Sequence, residues 1–577
     1  MVEHKRNHWQ DIISHQQGSL QPSTKMEVNP LRLQAIMASF AIGFLILAVR
    51  LFDVTFFQDH KNISTASSIT YNTNMKRPEI VDRNGVLLAV NLTTASLYAN
   101  PKIIIDPKEA ATKLFEIFPD LDYKQLLEEL HSTKSFIWIK RNLTPKEQFA
   151  VNSLGIPGLF FENSEKRFYT QGPLLSHILG FVGMDGKGLA GIEKYYDDNL
   201  IKNKDINLNE QVKLSIDVRI QSIVSEELMQ AIEEFKAIGA IGIVLDAKNG
   251  EIVSSVSLPA FDPHNPGSAT HDQLFNRFSL GLYEPGSTFK TFTMAMALDA
   301  GTITLKDVYN VDSPIKSARF KITDYHGKGG HLSIPEIFMY SSNIGTAKIS
   351  LDLGKKKQQQ FLKDFGLLDE LTIEIPEKAR PLYPSEKRWS DLSTMTISYG
   401  HGIAVTPLHI ARAAAAMLNG GNLYNATFLK QSDDFKTKST QVIKSETSSL
   451  MQKLYRLVVE YGTGKKANVD GYIVGGKTGT ADKAAKGGYN RNSRLSSFIA
   501  AFPIHDPKYV VLVMIDEPKG NQSTGGYATA GMTAAPTSGR IISRIGPLLG
   551  LETFDESDPV IKQHLWLDYY NNLHHEL

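Results

Sequence analysis

The chain contains no cysteine. That excludes disulfides, iron–sulfur clusters, thiolate metal sites and a cysteine nucleophile, and it suits exposure to an oxidising compartment. An excess of charge is missing too. Sixty-two basic residues stand against 61 acidic ones, a net charge of +1, which argues against a nucleic-acid surface. No His-Glu-x-x-His occurs, and His264, His271 and His401 lack zinc-ligand spacing, so they read as loop or structural histidines. Long apolar runs are also scarce. One stretch, 33–49, is uncharged over roughly 25 Å at about 1.5 Å per residue, near the lower limit for crossing a bilayer.

That stretch is extended by Leu51, Phe52 and 54–57, and reads as a membrane anchor over 33–57. Arg50 and Asp53 lie three apart and can pair, or Arg50 can reach the interface. A cleaved signal peptide would need small residues after the run, and Arg50-Leu51-Phe52 follow instead, so the anchor is expected to stay. A buried soluble helix is the competing reading. Residues 1–32 are polar, with Lys5, Arg6, Lys25 and Arg32 against Glu3, Asp11 and Glu27. They are expected to form a cytoplasmic tail, which puts everything after about residue 58 outside the cytoplasm.

At 577 residues, two or more further domains are expected. Hydrophobic and charged fractions of 42% and 21% are ordinary globular values. Residues 58–210 alternate strand-like runs (86–90, 95–99) with helical ones (107–117, 122–130, 145–154) and lack the polar density of an active site; they read as a small α/β domain. From 211 to 550 the pattern is more regular. A helix is expected over 218–235, and strands over 240–245 and 251–258 about the Lys248-Asn249-Gly250 turn. Residues 302–470 are mostly helical, and strands follow at 474–480, 495–502 and 509–515. Strands at both ends and helices between imply an α+β domain, an antiparallel sheet flanked by helices plus a helical lobe. Residues 551–577 form an aromatic, polar tail with no readable role.

Three short motifs carry the chemistry. Glu284-Pro285-Gly286-Ser287-Thr288-Phe289-Lys290 opens an apolar helical run that ends at Gly301. Ser287 is therefore expected at a helix N-terminus, with Lys290 one turn on and on the same face, the geometry of a serine nucleophile activated by a lysine. Ser341-Ser342-Asn343 comes next, after a helical stretch, and Lys477-Thr478-Gly479-Thr480 lies on a later strand. Singly, each is common: a capped helix, a polar turn, a polar edge strand. In the order Ser-x-x-Lys, Ser-x-Asn, Lys-Thr-Gly they resemble the signature of the penicillin-recognising serine acyl-transferases. Ser287 would attack. Lys290 would take its proton once burial and the neighbouring Lys477 cation lower its pKa. Ser341 would relay a proton, and Asn343 would bind a substrate amide. Lys477, Thr478 and Thr480 would clamp a carboxylate beside Gly479. The N–H groups of Ser287 and Thr480 would form an oxyanion hole.

The remainder resembles the class B penicillin-binding proteins, monofunctional D,D-transpeptidases that cross-link peptidoglycan. The segment Arg77-Pro78-Glu79-Ile80-Val81-Asp82-Arg83-Asn84-Gly85 is similar to a stretch of that branch, with Pro78 where glycine is usual. Gly188-Leu189-Ala190-Gly191-Ile192-Glu193, Leu214-Ser215-Ile216-Asp217 and Ser398-Tyr399-Gly400-His401-Gly402 match as well, His401 standing where tyrosine or glutamine is more usual. Within the branch the resemblance is to the septal, cell-division enzyme. It implies a pedestal of the dimerisation type, a donor stem peptide ending in D-Ala-D-Ala, acylation of Ser287 by β-lactams, and no metal or organic cofactor. It also implies a bacterial inner-membrane location with the catalytic domain in the periplasm, and a membrane glycosyltransferase and divisome proteins as partners. Rival readings are the elongation transpeptidase of the same branch and a D,D-carboxypeptidase or β-lactamase. The Glu-x-x-Leu-Asn stretch of one β-lactamase class is not found between Asn343 and Lys477. A silent scaffold or antibiotic sensor would need a signalling domain or further spans, and none appears.

Overall fold

Tyr509–Asp516 is apolar at nearly every position, which a strand tolerates only when both its faces are covered. The structure, a computed structural model, describes residues 30–52, 77–202, 211–317, 320–325, 327–432, 437–485, 488–567 and 569. Most of the expected tail (1–29), the end of the expected anchor (53–57) and residues 203–210 and 570–577 lie outside the described residues.

Pro30–Phe52 forms one helix of 23 residues, and its described large apolar side chains, from Met37 to Val49, are exposed. Among the described residues no helix is long and apolar enough to cross a membrane. The spanning segment expected over 33–57 is therefore not a feature that the described fold itself carries.

The rest, from Lys76 onward, is a second compact unit. Its first sheet holds strands β1 (Ile80–Val81), β2 (Leu87–Ala99), β3 (Ile137–Leu143), β4 (Leu159–Tyr169) and β5 (Val212–Lys213), in the order β3-β2-β1-β5 with β4 along the other edge of β2. The strands expected at 86–90 and 95–99 are one strand, because β4 pairs with β2 continuously from Ala89 to Ala99 and carries it across the polar middle. Helices Pro107–Ile117, Tyr123–Leu130 and Pro145–Ser153 are N-capped by Asp106, Asp122 and Thr144. They pack Ala110, Leu114, Leu126 and Val151 against Leu97 and Ile137.

The second sheet contains β6 (Gly239–Asp246) and β7 (Ile252–Leu258). The short strands β8 (Val308–Asn310), β9 (Ile315–Ser317), β10 (Phe320–Ile322), β11 (His331–Ser333), β12 (Asn422–Tyr424) and β13 (Ser439–Gln441) pair separately, as two-stranded ribbons. β14 (Gly475–Ala485), β15 (Gly488–Phe502) and β16 (Tyr509–Asp516) complete the main sheet in the order β14-β15-β16-β6-β7, antiparallel throughout. Period-two alternation divides β16 between two cores. Val511, Val513 and Ile515 meet the helices Val218–Phe235 and Ala534–Ile545, which supply Val224, Leu228, Ile541 and Ile542. Val510, Leu512 and Met514 face the helices Lys290–Asp299, Pro407–Leu418 and Ser445–Glu460. Val218–Phe235 shows why it packs so: Asp217 caps its N-terminus, and Ile220, Val224, Leu228, Ala231 and Phe235 form one buried stripe.

Three of the family-like motifs, 77–85, 188–193 and 214–217, lie where pedestal meets sheet. Glu193 binds both Arg77 (2.8 Å) and Arg167 (2.7 Å). The buried Asp82 carboxylate accepts from the N–H groups of Asn84, Val86 and Val218. Pro78, lacking a donor, offers its carbonyl to Arg167 at 2.8 Å. Glu251, 0% exposed, pairs with Arg83 of the pedestal at 2.7 Å and with Lys430 at 3.0 Å, and accepts from the Gln431 N–H. Arg83 and Lys430 keep 17% and 23% of their side chains exposed, so water takes up part of what Glu251 gives them. Glu251→Ala is accordingly expected to cost about 1–3 kcal/mol, read as a lowered thermal-unfolding midpoint of the purified protein.

The tail unread in the sequence is docked as far as it is described. Phe554 N–H bonds to Gly471 O at 2.8 Å, Glu556 pairs with Arg456, His564 meets Gln452 at 3.0 Å, and Leu565 and Leu567 are buried.

Candidate active site

Ser287 sits in a 3-10 turn, Gly286–Phe289, and the α-helix begins only at Lys290. This differs slightly from the expected helix start, because Thr288 turns its hydroxyl back to Pro285 O at 2.7 Å and tightens the first turn. Ser287 is half-buried, whereas Lys290 is 1% exposed.

The lysine does not bond to Ser287. Its Nζ donates to the Ser341 carbonyl and, at 3.1 Å, to Ser341 Oγ. Lys477, 0% exposed on β14, donates to the same hydroxyl at 3.0 Å. One serine oxygen thus lies between two buried amines. Desolvation pushes Lys290 well below the usual lysine range, the Lys477 charge pushes it the same way, and Asp324 opposes. Burial lowers Lys477 to about 7. The arrangement favoured is Lys290 neutral with the proton on Lys477, because each amine has a backbone carbonyl to donate to but Lys477 lies 5.7 Å from the centre of the Phe338 ring, and its charge is what holds Lys290 down.

Ser341 has φ +60°, in the left-handed region, at the junction of the helices Ile334–Met339 and Asn343–Leu353. Ser342 caps the second helix, accepting from Gly345 N–H at 3.0 Å. Asn343, expected to touch substrate, donates Nδ2 to Thr323 O at 2.8 Å, which fixes the plane of its amide. On β14, Thr478 Oγ1 meets Thr463 Oγ1 at 2.6 Å, and Thr480 Oγ1 accepts from Ala530 N–H at 3.1 Å. The space at Gly479 has an intramolecular use: a Cβ there would lie 2.6 Å from Thr288 Cγ2 and 2.6 Å from Ser497 Oγ. One of the two groups pressed against Gly479 belongs to the protein's own nucleophile turn.

The structure therefore brings Ser287, Lys290, Ser341, Asn343, Lys477, Thr478, Gly479 and Thr480 into one neighbourhood. Sequence reasoning missed the groups that brace them. Glu284 Oε1 accepts from Gly402 N–H at 2.8 Å and Oε2 faces His401 Nδ1 at 3.4 Å, while Gly286 N–H bonds to Gly400 O at 3.2 Å. Thr463 and Asp324 are the others. Of these, the sequence marks only Glu284, within the nucleophile motif, and the 398–402 stretch, by resemblance, and gives neither a bracing role.

Comparison with known proteins covers both the pedestal and the domain that carries this site. The penicillin binding protein transpeptidase domain matches residues 240–537, and the penicillin-binding protein dimerisation domain matches residues 72–220. The chain is similar to the probable peptidoglycan D,D-transpeptidase FtsI of Caulobacter vibrioides, 40% identical over 485 residues and covering 82% of each chain. It is 34% identical over 501 residues to the probable peptidoglycan D,D-transpeptidase PenA of Neisseria gonorrhoeae, covering 82% of this chain and 85% of that one. Among solved structures, penicillin binding protein 3 of Mycobacterium tuberculosis, complexed with aztreonam, shares the fold: TM-score 0.66, 22% identity, 83% of this chain and 97% of that chain covered.

Proposed function

The chain belongs to the class B penicillin-binding proteins, and from that premise we propose that it is the serine-type peptidoglycan D,D-transpeptidase of the dividing septum. The observation that carries the chemistry is the Ser341 hydroxyl held between the amines of Lys290 and Lys477, beside the turn that presents Ser287.

Ser287 Oγ attacks the carbonyl carbon of the penultimate D-alanine of a stem peptide, and the neutral Lys290 amine takes its proton. The oxyanion that forms faces the N–H groups of Ser287 and Thr480. Collapse breaks the C–N bond. Ser341 passes a proton from Lys290 to the departing D-alanine amine. An amine of a neighbouring stem then attacks the ester, loses its proton along the same route, and Ser287 is restored. Lys477, Thr478 and Thr480 hold the terminal carboxylate of the donor, and Asn343 orients its amide. A β-lactam follows the first half of this path, and the opened ring remains tethered to Ser287.

The location proposed with this function is the inner membrane. Residues 33–57 would be a single-pass anchor, 1–32 would stay in the cytoplasm, and the unit beginning at Lys76 would stand in the periplasm. Such an enzyme links strands that it does not polymerise, so it works beside a membrane glycosyltransferase and the division proteins.

Incubation with a labelled penicillin followed by peptide mass mapping tests the chemistry. An adduct on Ser287 that persists for many minutes is expected; rapid turnover would indicate a hydrolase, and an adduct elsewhere would refute the site. Depletion in the host tests the biology, since filaments indicate division and rounded cells elongation.

A further inference from the structure

Ser341 is a non-glycine residue at φ +60°, a conformation that costs roughly 1–2 kcal/mol and persists only where its surroundings impose it. Two adjacent residues, Thr323 and Asp324, bind the residues that follow Ser341 from outside the motif. They lie between β10 and β11. Asp324 Oδ1 accepts from the N–H groups of Asn343 at 2.5 Å and Ile344 at 3.0 Å, and Oδ2 accepts from Ser342 Oγ at 2.7 Å. Thr323 O takes Asn343 Nδ2 at 2.8 Å. Every residue from 342 to 344 is thereby tied to this one short segment.

We infer that Asp324 is a positioning residue for the acyl transfer: its carboxylate locks the 341–343 turn so that the Ser341 hydroxyl stays between the Lys290 and Lys477 amines. The inference rests on the reading of Ser287 as nucleophile. Ser342 caps the helix Asn343–Leu353 only through Gly345 N–H, so the Asn343 and Ile344 N–H groups depend on Asp324. The bond from Ser342 Oγ goes beyond capping and fastens the residue next to Ser341.

A second effect follows from its charge. Among the described groups, the charges that act on Lys290 are Lys477 on β14, which lowers its proton affinity, and Asp324, which raises it. Asp324 keeps the buried amine from becoming too weak a base to accept a proton from serine.

Second-order rate constants for acylation by a fluorescent penicillin, measured on the full chain between about pH 5.5 and 9, test this. Asp324→Ala loses both effects and is expected to react on the order of 10²-fold more slowly. Asp324→Asn keeps the shape and can still accept from both N–H groups, so it is expected to lose only about tenfold. Its acid limb should move to lower pH, because the charge that raises the Lys290 pKa is gone. A cap with no part in the reaction would leave that limb in place. Thermal unfolding of each variant corrects the rates for the folded fraction. Corrected rates within about twofold of wild type for both variants, or an unmoved acid limb in Asp324→Asn, would overturn the inference. Mapping the adduct on wild type separates the two levels: an adduct away from Ser287 removes the reading beneath, whereas an adduct on Ser287 with unaffected variants removes Asp324 alone.

Discussion

Lys290→Met is expected to slow acylation of Ser287 by about 10²–10⁴-fold while the protein stays folded. Methionine matches the lysine stem in length and fills the same buried volume, so packing among the residues around the Lys290–Asp299 helix changes little. What disappears is the proton acceptor, together with the two hydrogen bonds to Ser341. The pH profile carries a second signature. In the wild type the rate rises as Lys290 loses its proton, on an acid limb far below the usual lysine range. It falls at higher pH as Lys477 loses its own, from a starting value of about 7 that a bound carboxylate raises. The variant should lack the acid limb and keep the alkaline one. Stopped-flow acylation with a chromogenic β-lactam reads both; an acid limb surviving in Lys290→Met would assign the base elsewhere.

The other large effect is expected from a residue that touches no substrate. Gly400→Ala places a Cβ 2.2 Å from Gly286 O and 2.5 Å from Gly286 N, at a backbone φ of +85°. Neither partner is a flexible side-chain end, so the backbone beside Ser287 must move. A displacement near 1 Å of a reacting group is worth on the order of 10²-fold in rate, and the strained φ costs about 1–2 kcal/mol of stability. Gly402→Ala is the matched control. Its φ is also positive, at +78°, but its Cβ would meet only Thr396 Oγ1 at 3.4 Å. It should lose similar stability and keep most of its acylation rate. Equal rates for the two variants would mean that the Gly286 contact does not hold the nucleophile turn.

Much of the main sheet was legible because its strands are apolar on both faces or alternate strictly, and because Lys248-Asn249-Gly250 marks the turn between β6 and β7. The helix Val218–Phe235 was legible from the helical spacing of the apolar residues that the fold buries as one stripe. β4 was not, since Glu162, Glu165 and Lys166 lie in its exposed part, and only pairing with β2 makes it a strand. At the site, spacing identified the reacting side chains and could not show how they touch. Local periodicity brings Lys290 to the face of Ser287, yet its hydrogen bonds go to a turn folded in from Ser341. Asp324, Thr463 and Gly400 hold their positions through tertiary contacts, and nothing adjacent to them in sequence announces the neighbours they meet.

β14 reaches β6 and β7 only through β15 and β16. The nucleophile turn and the Ser341 turn can therefore be synthesised, and can find local structure, while the strand bearing Lys477 still has no place to dock. Loops closed over such sequence distances carry a large entropic cost and close late. Acylation competence should then arise in a single terminal step, after residues up to 516 have joined the sheet. A chain emerging from synthesis would be indifferent to antibiotic until that moment, and penicillin labelling would count finished molecules rather than molecules present.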